Sequence, residues 1–186
     1  MRTKLPLSAD KRAWSPSPLA GQIVLVTTLN ADRQSNIAPK SWISMMAFAP
    51  PLLALGCNLE HWTARNILRG REFVINIPGA DLAEQVWGMH AVPHPRPVEA
   101  VGLTPIPAQK IGPPLVEECR AHLECVLVQH LEFGSEVMII GEIVAGSVDQ
   151  AARDSPDPYQ YLKMIMFLEN GIFGVIENGR GIGKQK

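Results

Sequence analysis

The chain has 186 residues, 46% of them apolar and 19% charged, with a formal net charge of −1. That length favours one domain able to remove roughly two-thirds of its unfolded surface from water, and the composition excludes a disordered chain. The near balance of 17 Lys+Arg against 18 Asp+Glu leaves no basic footprint for a nucleic-acid backbone, so a small molecule is the expected partner.

Residues 1–20 carry Pro6, Pro16 and Pro18 with scattered charge, and read as a lead-in anchored by Trp14; residues 21–186 read as a single domain with a C-terminal extension. The first residues lack an apolar signal core, and no later stretch is apolar for long enough to span a membrane. Cys57, Cys119 and Cys125 form no CxxC pair and cannot all pair within one chain, which fits a reducing cytoplasm.

In chain order, Gln22 to Leu29 is a β-branched run ended by Asn30-Ala-Asp32, the pattern of a strand entering a turn. Ser35 to Ala49 is extended, Pro50-Pro51 interrupts the ladder, and Leu52 to Cys57 resumes it. Between His61 and Arg71 the period changes, which predicts a short helix capped by Thr63 or a near neighbour. Glu72 to Ile77 alternates as a strand, and Asp81 to Trp87 reads as a second helix capped by Asp81. Residues 88–116 hold seven prolines and form a long surface excursion of the kind usually tied to function or a partner. Arg120 to Leu131 and Glu136 to Val148 flank Glu132-Phe-Gly-Ser135 as a long hairpin. Tyr159 to Phe173 is apolar, and a glycine-rich tail follows. Six or more strands with only two short helices predict a mainly β protein, a closed or nearly closed antiparallel barrel.

Familiar catalytic signatures find little support. Gly179-x-Gly181-x-Gly183-Lys184 resembles a phosphate loop but has no helix after it, and His90-x3-His94 lies in a proline loop without further ligands, so no metal site is expected. Cys119 and Cys125 read as small buried hydrophobes. Two segments do carry polar residues that a plain barrel does not need. Asn36, Lys40, Ser41 and Trp42 follow one another on an extended stretch, and Cys57, Asn58, Thr63 and Asn66 run from a strand end into a helix start. Helix-start N–H groups with Thr63, Arg65 and Lys40 could hold a phosphate, while Trp42 or Trp62 could lie against a ring. Equally, Thr63 could only cap its helix, Asn36 only make a turn, and both tryptophans only fill the core.

The ordered segments Ile23-Val-Leu-Val-Thr-Thr-Leu29, Ser35-Asn-Ile-Ala-Pro-Lys-Ser-Trp42, Phe48-Ala-Pro-Pro-Leu52, Thr63-Ala-Arg-Asn-Ile67 and Arg71-Glu-Phe-Val-Ile-Asn76 resemble the flavin reductase-like, FMN-binding split-barrel family. Gly102-Leu-Thr104, Pro114-Leu-Val-Glu117, His122-Leu-Glu-Cys125 and Ile140-Gly-Glu-Ile143 are similar to that family's second half. The resemblance implies a six-stranded Greek-key split barrel with a few short helices, a homodimer, and FMN in a groove near the dimer interface. It places Asn36, Lys40, Ser41, Trp42, Cys57, Asn58, Thr63 and Asn66 around the flavin, the last two toward its phosphate. The implied activity is transfer of hydride from NAD(P)H through FMN to a second acceptor, with the redox chemistry carried by the flavin, so no catalytic side chain is assigned. An FMN electron carrier without a nicotinamide site, or a dimeric split-barrel module that has lost flavin, are the alternatives. One departure is Glu136, which stands after the hairpin glycine where many members carry histidine, and where an acid pointing inward would repel phosphate.

Overall fold

Ile23, Val24, Leu25 and Val26 are all buried, and this double-sided burial organises the molecule. Val24 and Val26 face a barrel interior shared with Leu53, Leu55, Phe73, Ile75, Val137 and Ile139. Ile23 and Leu25 face a second cluster containing Ile37, Leu82, Val86, Met89, Val98, Val116 and Ile165. A strand covered on both sides reads as an unbroken apolar run instead of an alternating one, as this one does.

The computed structural model describes residues 3–169 and 171–179. Its strands are β1 (Gly21–Gln22), β2 (Val24–Leu29), β3 (Ser35–Lys40), β4 (Ile43–Phe48), β5 (Pro51–Asn58), β6 (Glu72–Ile77), β7 (Pro105–Ile106), β8 (Leu115–Val116), β9 (Ala121–Phe133), β10 (Glu136–Val148), β11 (Ile165–Glu169) and β12 (Ile172–Val175). The helices are α1 (Trp62–Gly70), α2 (Ala83–Gly88), α3 (Gln150–Asp154) and α4 (Pro158–Leu162). The protein is mainly β, and its central sheet is a split barrel in the order β3-β2-β6-β9-β10-β5-β4, antiparallel throughout. That sheet has seven strands, one more than expected, because the stretch from Ser35 to Ala49 breaks at Ser41-Trp42 into β3 and β4, which become its two edges.

A second sheet, β1-β11-β12, is built from the first residues of the body and the apolar segment near the C-terminus. The lead-in is held through Glu169, whose carboxylate accepts from Ser15 Oγ at 3.2 Å and from the Ser17 N–H at 3.1 Å. Trp14 donates its indole N–H to the Ser8 carbonyl, within the lead-in itself.

The excursion between α2 and β9 is pinned by side chains of the barrel. Glu124 accepts from the backbone N–H groups of Gln109 and Lys110, Glu72 from Gly112, Asn76 from Val116, and Asn36 from Arg96. These acceptors satisfy loop amides that a proline-rich segment cannot pair in a ladder of its own.

Two expected caps are corrected. Helix α1 begins at Trp62 with His61 at the cap position, so Thr63 lies inside the first turn and caps nothing. The chain turns earlier because Asn58 accepts the Glu60 N–H through its side chain and the His61 N–H through its carbonyl. The second helix is a 3-10 turn over Ala80–Leu82 running into α2, and Asp81 makes an ion pair with Arg120 at 2.8 Å in place of a cap. Of the glycine-rich tail, only Gly179 falls within the described residues.

Candidate functional site

A cavity of about 340 Å³ opens where four segments meet: the end of β3, the end of β5, the start of α1 and the start of β10. Pro39, Lys40, Ser41 and Trp42 form one wall, Gly56, Cys57 and Asn58 the second, with His61 and Glu136 closing it. The wall depends on Gly56: a Cβ there would stand 3.0 Å from Cβ and 3.1 Å from Cε3 of Trp42, so glycine lets the indole lie across β5. Trp42 remains 55% exposed, its ring free for further contact.

The electrostatics of the cavity are lopsided. Lys40 Nζ lies 3.1 Å from Nδ1 of His61. An ammonium can only donate, so Nδ1 accepts and the His61 ring proton is on Nε2. Desolvation, followed by the nearby Lys40 charge, pushes the His61 pKa down, with Glu136 opposing. His94 is also pushed down, first by desolvation and then by Arg96, Lys40 and His61. Both histidines are thereby biased toward the neutral form, and among the residues lining the cavity Lys40 supplies the positive charge and Glu136 the negative one.

Glu136 faces this field from β10, half-buried, and accepts a hydrogen bond of 3.0 Å from Asn58 Nδ2. Cys57 is buried, with Sγ 3.7 Å from His61 Nδ1. Burial pushes its thiol pKa up, partly offset by Lys40 and by the Ala64 N–H in the first turn of α1.

Lys40, Ser41, Trp42, Cys57 and Asn58 therefore come together as cavity walls, while Asn36, Thr63 and Asn66 lie outside the lining. Asn36 is fully buried on β3; its Oδ1 accepts from His94 Nδ1 at 2.9 Å and from the Arg96 N–H at 3.1 Å, leaving Nδ2 without a partner. Thr63 Oγ1, in the first turn of α1, is likewise buried and unpartnered. Asn66 is satisfied on all sides: Nδ2 donates to Thr28 Oγ1 and Asn30 Oδ1, and Oδ1 accepts from Arg69. It ties α1 to β2 and lines a different cavity. His61 and Gly56 were not singled out from the sequence. The signal for His61 was its position immediately before the helix; that for Gly56 emerges only when Trp42 is seen across the strand pair.

Comparison with known proteins follows the same outline. Residues 17–166 match a family model described as a flavin reductase like domain. The fold superposes on nitrilotriacetate monooxygenase component B from Bacillus cereus with a TM-score of 0.83 and 22% identity, covering 100% of this chain and 99% of that one. Flavoredoxin from Methanosarcina acetivorans gives a TM-score of 0.82 and 19% identity over 97% of this chain and 95% of that one. An FMN-binding protein from Thermus thermophilus gives 0.73 and 19% over 98% of both chains.

Proposed function

Since this chain belongs to the flavin reductase-like family, we propose that it is an FMN-dependent oxidoreductase passing hydride from NAD(P)H through FMN to a second acceptor. The observation that carries this reading is the polar cavity at the start of α1, which holds Lys40 and His61 and is flanked by buried polar atoms that the protein leaves unpaired. Buried donors are nearly always satisfied in folded proteins, and leaving one unpaired costs about 1–3 kcal/mol. Asn36 Nδ2 and Thr63 Oγ1 are the kind of atoms a bound phosphate or ring edge would satisfy, so the residues present fit FMN.

In this reading Lys40, the Nε2–H of His61, Thr63 and the free N–H groups opening α1 hold the phosphate end. Trp42, exposed beside Gly56, lies against the ring, and the β3 end with Ser41 meets its polar edge. When bound, the flavin supplies the two-electron chemistry, and the protein's own groups bind, orient and shield it from water. Glu136 stays in the wall of the same cavity, its carboxylate fixed by the hydrogen bond from Asn58 Nδ2.

We further read the protein as a cytoplasmic homodimer. Met45, Met46 and Phe48 on β4 and Leu131 and Phe133 on the outer hairpin are exposed, and Phe48 is 95% so. An apolar hollow lined by Trp42, Ile43, Ala54, Phe133 and Met138 joins this face to the cavity through Trp42, Gly56, Cys57 and Glu136. A second copy covering that face would also shield the flavin. Three free cysteines fit a reducing compartment, and among the described residues no helix is long and apolar enough to cross a membrane.

The test is a visible absorbance spectrum of purified protein with FMN, followed by NADH and NADPH without oxygen, alongside light scattering. The expected result is retained flavin bands that bleach with a nicotinamide, in a particle of two chains. Bands that persist with both nucleotides support the electron carrier instead, and no retained flavin supports the flavin-free module.

A further inference from the structure

A separate cavity, of about 250 Å³, lies at the C-terminal end of α1 and shares no lining residue with the cavity at the start of that helix. Its walls include Asn30 and Arg33 from the turn after β2, Asn66 and Arg69 of α1, and Glu72 and Pro113. The nine residues of α1, at 1.5 Å each, put the two ends of the helix about 13 Å apart.

A chain of hydrogen bonds fixes what this cavity offers. Arg69 Nη2 donates to the Leu29 carbonyl and to Asn66 Oδ1, both at 2.8 Å. A guanidinium can only donate, so Asn66 turns its Nδ2 toward Asn30 Oδ1, at 2.8 Å, and toward Thr28 Oγ1. Asn30 then presents Nδ2 as a donor, and that nitrogen has no partner although the residue is only 6% exposed. Buried donors are nearly always paired in folded proteins, and this one is left for an acceptor that the chain does not supply.

Arg33 adds a second positive charge. Its backbone stands at φ 66°, where a residue with a side chain is uncommon, and its guanidinium has no ion pair among the described residues. Gly112 keeps the neighbouring space open: a Cβ there would stand 3.1 Å from Leu29 Cδ1, 3.3 Å from Glu72 Oε2 and 3.6 Å from Arg33 Nη2. The planar fork of a guanidinium matches the two oxygens of a carboxylate. Glu72, whose Oε2 accepts from the Gly112 N–H, and the carbonyl end of α1 both weaken the positive field, which favours a singly charged guest over a phosphate dianion. Leu29 and Pro113 offer an apolar wall to a short tail.

We propose that this cavity is a binding site for a small carboxylate anion. Arg33 takes its two oxygens, the Asn30 amide donates to one of them, and Arg69, held in place by Leu29 and Asn66, supplies fixed charge. The site stands on these residues alone and does not depend on flavin binding.

The test is NMR titration of the full chain at constant ionic strength, following the side-chain amide of Asn30, with propionate, its neutral isostere propionamide, and inorganic phosphate. Propionate is expected to shift that amide and to bind about tenfold more tightly than propionamide, on the order of one charge-assisted hydrogen bond. Phosphate should bind more weakly than propionate. Arg33→Gln, at an exposed position, should weaken propionate about tenfold while leaving FMN affinity, read by flavin fluorescence, unchanged. Equal binding of propionate and propionamide, an Asn30 amide that does not move, indifference to Arg33→Gln, or displacement of propionate by FMN overturns the site, and phosphate binding more tightly than propionate overturns its assignment to carboxylates. Propionate binding with the expected preferences in a protein that fails to bind FMN upholds the site and removes the flavin reading.

Discussion

Lys40 Nζ and His61 Nδ1, at 3.1 Å, join the edge strand β3 to the cap position of α1 across the cavity mouth. The lysine therefore does two things at once: it supplies positive charge and fixes which nitrogen of the histidine carries the proton.

Lys40→Met should separate these roles from mere packing. Loss of one charge-assisted hydrogen bond, worth about 1.5–3 kcal/mol, predicts FMN binding weaker by roughly tenfold or more. The His61 pKa should rise at the same time, because Lys40 is the second cause holding it down. Fluorescence titration and histidine NMR check the two outcomes; unchanged FMN affinity would leave Lys40 as a tether for His61 alone.

Thr63 offers an opposite pairing of stability and binding. Its hydroxyl is buried and unpartnered, so Thr63→Val removes an unmet polar group while keeping the shape. Resistance to urea should be equal or higher, by up to about 1 kcal/mol, while FMN binding weakens about tenfold. A variant that binds FMN as the parent does would assign the residue to helix packing.

Glu136→Gln tests the one acid in the cavity wall. The amide keeps an acceptor for Asn58 Nδ2 and removes a negative charge from the side of the phosphate. FMN should bind about threefold tighter at low salt, with the gain shrinking as salt rises, as expected for a half-buried charge. Titrations at two ionic strengths give the answer.

Acid should destabilise the protein through His61 and His94. Both pKa values are lowered in the folded state, so the unfolded chain binds more protons and stability falls as pH drops below about 6.5, the ordinary histidine value. Both rings touch solvent, which keeps the effect small, about 1–3 °C in Tm between pH 7.5 and 5.5. The double variant His61→Gln, His94→Gln should flatten that part of the profile, read by thermal melts across the range.

Thiol reactivity should follow access. Burial pushes the Cys119 and Cys125 pKa values far up, so both should react with an aromatic disulfide reagent only on unfolding. Cys57, also raised but lining the cavity, should react slowly in the native protein, and FMN should protect it. Mass mapping of the labelled thiols identifies which of the three responds.

Much of the barrel was readable because its signals are local. The run from Ile23 to Leu29, the Pro50-Pro51 break and the Gly134 hairpin each announce an element within a few residues. The walls of the cavity were readable for the same reason, since Lys40 to Trp42 and Cys57-Asn58 are contiguous segments. What escaped was set by distance in the chain. Asp81 abandons the expected cap because Arg120 reaches it from just before β9, and Asn66 reaches from α1 to Thr28 and Asn30 at the end of β2. The partition of Ser35–Ala49 into two opposite edges depends on partners β2 and β5, which that stretch cannot reveal by itself.

The loop amides held by Glu124, Glu72, Asn76 and Asn36 also bear on traffic through the molecule. Swinging the excursion outward would break its bonds to several acceptors on the outer face of the barrel at once, so it behaves as masonry, not as a door.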